Sequence, residues 1–73
     1  MDMQTWRDGR GEAVEATEAL RAALAALGAP ERVLTALRPL VTNKGVAYVY
    51  VGMVRAELAE QMAEAMKAPA STR

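Results

Sequence analysis

Apolar positions in the first half of the chain recur at the spacing of a helix. The residues that would share one face are Ala13, Thr17, Leu20, Leu24 and Leu27. Their alternating steps of four and three residues are typical of an amphipathic helix. Carboxylates near its start and Gly28 at its end mark the two termini. The pattern predicts a long helix over residues 12–27. Residues 1–11 hold two glycines and mixed charges without a hydrophobic period, and are expected to form a flexible tail.

Two prolines bound a second, shorter helix. Pro30 fits its first turn because the missing N–H would be unpaired there, and Pro39 disfavours helical geometry at the preceding residue. The apolar face of this helix consists of Val33, Leu34 and Leu37. The chain should then continue as an extended arm over residues 40–42. Residues 43–45 have the composition of a three-residue hairpin loop that ends in a left-handed glycine.

The segment from Val46 to Val54 is rich in valine and tyrosine and lacks a helical period, which predicts a strand. One face would carry Val46, Tyr48, Tyr50 and Val54, and the other Ala47, Val49, Val51 and Met53. A strand with two apolar faces is typically covered on both sides, and one short arm cannot cover it. We therefore expect dimerisation to complete the sheet. The expected oligomer interface comprises Val46, Tyr48, Val49, Tyr50, Val51 and Met53.

A last helix is predicted from Arg55 to Lys67. Its apolar positions follow at steps of four residues and are Val54, Leu58, Met62 and Met66. Pro69 and the polar residues after it predict a disordered tail over residues 68–73. The sequence therefore predicts one small α+β domain over residues 12–67 in the order α-α-β-β-α. Its elements are a long helix, a short helix, a hairpin with one long strand, and a C-terminal helix.

The composition of the chain argues against several classes of function. A chain of 73 residues buries about 60% of its unfolded surface, and this one contains neither cysteine nor histidine. Disulfides, zinc sites and histidine-activated nucleophiles therefore lack their usual residues. Glu57, Glu60 and Glu64 could pair as acid and base, but glutamates opposite an apolar helix face usually lie in solvent. We expect no enzyme, no cofactor and no metal, and a partner subunit that supplies buried surface.

Location and charge refine this expectation. The absence of cysteine fits the cytoplasm, and no apolar run reaches the roughly 20 residues of a membrane span, so no membrane association is expected. The nine basic and nine acidic residues balance. From residue 32 to residue 56, however, every ionised side chain is positive. These residues are Arg32, Arg38, Lys44 and Arg55, and they could form a basic hairpin surface for phosphates or an acidic partner.

The segment from Lys44 to Val51 resembles the longer signature of RNA-recognition domains, in which a basic residue, a glycine and alternating aromatics lie on a central strand. Val46 and Val51 stand where that signature has aromatics. The first strand of that family, with its own aromatic signature, has no counterpart ahead of the first helix. The resemblance covers eight residues and implies no family membership.

Two hypotheses about function follow. The leading one is a small non-catalytic protein-interaction module, a homodimeric regulatory or accessory subunit, with Trp6 as a candidate anchor for a protein partner. The alternative is a nucleic-acid-binding regulator that uses the basic hairpin surface of Arg32, Arg38, Lys44 and Arg55.

Overall fold

Residues 3–67, the part of the chain that the computed structural model describes, form three helices and a two-stranded antiparallel hairpin. The elements are α1 (Met3–Ala26), α2 (Glu31–Ala36), β1 (Arg38–Val41), β2 (Ala47–Tyr50) and α3 (Ala56–Lys67). The predicted α+β class and the order α-α-β-β-α are confirmed. The tail expected over residues 68–73 lies outside the described residues.

Helix α1 begins nine residues earlier than predicted, so the segment expected to be a flexible tail is helical from Met3 onward. The buried face of the helix continues through Gly9, four residues before the buried Ala13. A Cβ atom built on Gly9 would lie 2.6 Å from the carbonyl oxygen of Gly45 in the hairpin loop. A glycine that lowers helix propensity thus permits a close tertiary contact, and packing outweighs the propensity from which the tail was predicted.

The end of α1 is as the sequence indicated. Gly28 has a φ of 88°, and its N–H donates to the carbonyl of Ala25 at 3.0 Å. The next N–H, from Ala29, reaches back to the carbonyl of Leu24 at 3.0 Å. This pair of bonds is the Schellman arrangement, which satisfies carbonyls of the last helical turn and turns the chain toward α2.

Helix α2 is anchored to α1 by an arginine that the sequence pattern did not single out. The Nε of Arg21 donates to the carbonyl of Leu34 at 3.0 Å, and its Nη2 donates to that of Leu37 at 3.2 Å. Arg21 also pairs with Glu18 one turn before it. Carbonyls at a helix end lack partners within the helix, so this side chain satisfies them from outside. Pro30 lies just before the first helical residue, one position earlier than expected.

The hairpin loop has the predicted form. The N–H of Thr42 donates to the carbonyl of Val46 at 3.0 Å, across a three-residue loop in which Gly45 has a φ of 84°. The Oγ1 atom of Thr42 accepts hydrogen bonds from the N–H of Lys44 at 3.3 Å and of Val46 at 3.1 Å. Thr42 therefore fixes the loop with both its backbone and its side chain.

Strand β2 is shorter than the predicted segment of residues 46–54. It ends at Tyr50, and Gly52 follows with a φ of 80°, a conformation outside the β region. Because the chain turns there, Val54 does not continue the face of Tyr48 and Tyr50. It packs against the core instead.

The core lies under the second half of α1, where a cluster of buried residues joins all three helices. Its members are Leu24, Val33, Leu37 and Leu58, and Leu20, Leu27, Val51 and Met62 are among the partly buried side chains around it. The first half of α1 carries the small buried residues Gly9, Ala13 and Thr17 and packs against both strands of the hairpin. Helix α1 thus packs against the helical core with its second half and against the hairpin with its first half. The molecule is a slab only 16 Å thick.

Candidate protein-interaction surface

The hairpin has one face toward α1 and one toward solvent. The strand register places Leu40 opposite Tyr48 and Arg38 opposite Tyr50, so their side chains share a face. We call this the outer sheet face, and its residues are Arg38, Leu40, Val46, Tyr48 and Tyr50. Its apolar members are half exposed: Leu40 48%, Val46 49%, Tyr48 55% and Tyr50 51%. Large apolar side chains grouped in this way are typical of a contact surface.

The residues expected at an oligomer interface do not all lie on one face of the hairpin, because successive side chains of a strand point to opposite faces. Val46, Tyr48 and Tyr50 lie on the outer sheet face, while Val49 is half-buried on the side of the hairpin that faces α1. Val51 packs against the core cluster. Met53 lies beyond β2 and is 90% exposed. The sequence predicted two similar apolar faces, but α1 covers one of them because its small residues allow close approach.

The two edges of the hairpin differ in the hydrogen bonds that they offer. Thr42 and Val46 form a hydrogen-bonded pair, and such pairs alternate with non-bonded pairs along an antiparallel hairpin. Pro39 and Val49, which face each other, therefore form a non-bonded pair whose backbone groups point outward. Pro39 has no N–H, so the β1 edge keeps only the N–H of Val41, whereas the β2 edge keeps the N–H groups of both Ala47 and Val49.

The four cations of the expected basic surface fall on three parts of the molecule. Arg32 and Arg55 line the same cleft at the start of α2 and α3, which has a volume of about 400 Å³. Arg38 lies on the outer sheet face, and Lys44 lies in the hairpin loop at the other end of the strands. Within residues 3–67 the ion pairs are Glu18 with Arg21 and Glu64 with Lys67, so none of the four cations takes part in one.

Trp6 is held on α1, one turn before Gly9, and not in a loose tail. Its side chain is 39% exposed, and Met3, one turn earlier, is more exposed still.

Met62 packs against the core, whereas Met66 on the same helix is exposed. A shallow apolar groove of about 210 Å³ lies between α1 and α3 beside these two methionines.

The glutamates that could pair as acid and base lie on the surface of α3. Glu57, Glu60 and Glu64 are exposed along α3, and nowhere in residues 3–67 do three acidic side chains come together as metal ligands would. None of the helices in this range has the length and apolar character to cross a membrane.

Comparison with protein-family models, curated proteins and solved structures finds no match to the chain.

Proposed function

We propose that this protein is a non-catalytic interaction module that acts in the cytoplasm as a homodimeric regulatory or accessory subunit, with β2 at the centre of the dimer contact. The observation that carries the proposal is the outer sheet face, on which four large apolar side chains are about half exposed. Among the described residues, more large apolar side chains are exposed than are fully buried. A second copy of the chain would cover this surface with an identical one.

The energetics support a moderate affinity. Burying the exposed half of one such side chain contributes about 1 kcal/mol, so eight side chains in a symmetric dimer contribute about 8 kcal/mol. The loss of translational and rotational freedom costs about 4–15 kcal/mol. The apolar gain lies within the range of this cost, so face-to-face burial by itself gives at most a weak dimer. We expect association in the micromolar range or weaker.

The free edge of β2 offers a second way for two copies to associate. It joins the copies edge to edge, so it would replace the face-to-face contact and not add to it. Two β2 strands that run antiparallel about a twofold axis would each donate the N–H groups of Ala47 and Val49 to the other copy. Pro39 makes the β1 edge the poorer partner, because a proline there leaves one acceptor without a donor. This edge-to-edge dimer would extend the two-stranded hairpin into a sheet of four strands.

Sedimentation velocity over a concentration series tests the oligomeric state. We expect the mass to rise from the 7.8 kDa of one chain toward twice that value as the concentration increases. A constant mass of one chain up to millimolar concentration, with unfolding independent of concentration, would contradict the proposal.

Amide hydrogen exchange tests the geometry of the dimer. If the β2 strands pair, the amides of Ala47 and Val49 exchange slowly in concentrated samples and faster on dilution. The amide of Val41 on the β1 edge is the internal control and should not change. Association without protection of Ala47 and Val49 would place the contact on the outer sheet face alone.

The nucleic-acid hypothesis ranks second. The outer sheet face places Arg38 across from Tyr50, an arrangement of cation and aromatic ring that single-stranded nucleic acid can stack against. The support for this hypothesis is limited, because Arg32, Lys44 and Arg55 lie away from the outer sheet face. Exchanging Arg38 and Lys44 for glutamate should abolish retention on immobilised DNA or RNA, and unchanged retention would exclude this function.

A further inference from the structure

The cleft where α1 ends and α2 and α3 begin combines positive charge with apolar walls. We call it the arginine cleft; Arg32 contributes from α2 and Arg55 from the residue before α3. Its other side chains include the apolar Leu27, Val33 and Leu58, the amide of Gln61 and the carboxylate of Glu57. Neither arginine is in an ion pair within residues 3–67. Two unpaired guanidinium groups in one concave site attract an anion more strongly than dispersed surface charges do.

Backbone donors lie beside these two arginines. The carbonyl of Arg55 accepts the first hydrogen bond of α3, from the N–H of Ala59 at 3.0 Å. The N–H groups of residues 56–58 therefore lack partners within the helix, and Arg55 has no side-chain acceptor to cap them. These donors strengthen the field that the two guanidinium groups already produce.

The size of the arginine cleft indicates what kind of anion would occupy it. A volume of about 400 Å³ lies in the range of sites for small organic molecules, about 300–1,000 Å³, and is larger than an inorganic ion requires. Guanidinium groups bind carboxylate and phosphate oxygens in the same forked geometry. Leu27, Val33 and Leu58 would contact the organic part of the molecule.

We propose that the arginine cleft binds a small organic anion, whose phosphate or carboxylate group lies between Arg32 and Arg55 while its apolar part contacts the walls. This site shares no residue with the outer sheet face. It is therefore independent of the proposed dimer, and either proposal can fail without the other.

Nuclear magnetic resonance titration of the full chain tests the site with phenyl phosphate and benzoate, at constant ionic strength maintained with sodium chloride. We expect saturable shifts in the amides of residues 56–58 with at least one probe, and which probe binds more tightly identifies the acidic group. Phenol, which has the ring without the charge, should bind at least about tenfold more weakly, since a hydrogen bond to a charged group is worth about a factor of ten or more. The proposal would be overturned if the shifts grew linearly with the concentration of both probes, without saturation. It would also be overturned if phenol bound as tightly as the better probe.

Matched variants separate local recognition from overall charge. Arg32→Gln and Arg55→Gln should each weaken binding of the better probe by about tenfold. Lys44→Gln makes the same change of charge in the hairpin loop and should alter binding less than about twofold. Glu57→Gln removes the carboxylate in the cleft and should tighten binding by about threefold. A loss with Lys44→Gln as large as that with Arg55→Gln would show nonspecific attraction and overturn the proposal.

Discussion

The backbone of Gly9 in α1 lies directly against the carbonyl oxygen of Gly45 in the hairpin loop, with no room for a side chain between them. The contact joins residues 36 positions apart in the sequence and sets the distance between α1 and the hairpin. Because the obstacle is a backbone atom at 2.6 Å from the site of a Cβ, a methyl group cannot be accommodated by a change of rotamer.

We therefore expect Gly9→Ala to lower the free energy of unfolding by about 1–3 kcal/mol, although alanine is the better helix former. Gly11→Ala in the same helix is the matched control, since a Cβ there meets nothing within 4 Å. It should raise the free energy of unfolding by up to about 1 kcal/mol. Urea denaturation at one protein concentration measures both. Equal effects of the two substitutions would mean that the contact with Gly45 does not constrain the fold.

Arg21 connects two helices through the carbonyls of Leu34 and Leu37. Arg21→Met keeps most of the apolar stem but removes both donors, and should cost about 1–2 kcal/mol of stability. Arg21→Lys should recover only part of this, because a single ammonium group lacks the fork that spans two carbonyls. Arg10→Met, an exposed arginine on the same helix, is the control and should change stability by less than about 0.5 kcal/mol. If Arg21→Met were equally mild, the two hydrogen bonds would contribute nothing to stability.

The side chain of Thr42 holds the hairpin loop through two backbone N–H groups. Thr42→Val has nearly the same shape but no acceptor, and should destabilise the protein by about 1 kcal/mol. Thr42→Ser retains the hydroxyl oxygen and should lower the stability of the protein less than Thr42→Val does. Thr35→Val is the control, because the hydroxyl of Thr35 makes one long, exposed bond at 3.4 Å to the carbonyl of Arg32. Thermal unfolding followed by circular dichroism compares the three variants, and a serine variant as unstable as the valine variant would refute the role of the oxygen.

Tyr48 lies at the middle of the outer sheet face and is more than half exposed. Tyr48→Lys should leave the fold intact, because the side chain points away from the core, but should shift the proposed dimer to monomer. Val14→Lys, on an exposed part of α1, carries the same added charge and should leave association unchanged. Sedimentation velocity measures the oligomeric state of both variants. A dimer that persists in Tyr48→Lys, or dissociates equally in Val14→Lys, would remove the outer sheet face from the contact.

Much of the local structure could be predicted from the sequence, because local chemistry determines it. Gly28 and Gly45 have the left-handed conformations that their positions indicated. The helical period from Ala13 to Leu27 also corresponds to the buried side of α1. In each case the signal lies within a few neighbouring residues, since capping, turn formation and amphipathic periodicity act over that distance.

Other features depended on contacts between distant parts of the chain. Gly9 lowers helix propensity, yet it lies within α1, where its lack of a side chain allows the carbonyl of Gly45 to approach. The faces of the strand looked alike in sequence, and the packing of α1 alone decided that Tyr48 and Tyr50 point outward. Arg32 and Arg55 share a cleft because the core brings the starts of α2 and α3 together. The sequence by itself determined the order of the helices and strands, the hairpin loop and the end of α1. Tertiary packing decided which apolar and charged groups remain on the surface, because burial depends on neighbours far away in the chain.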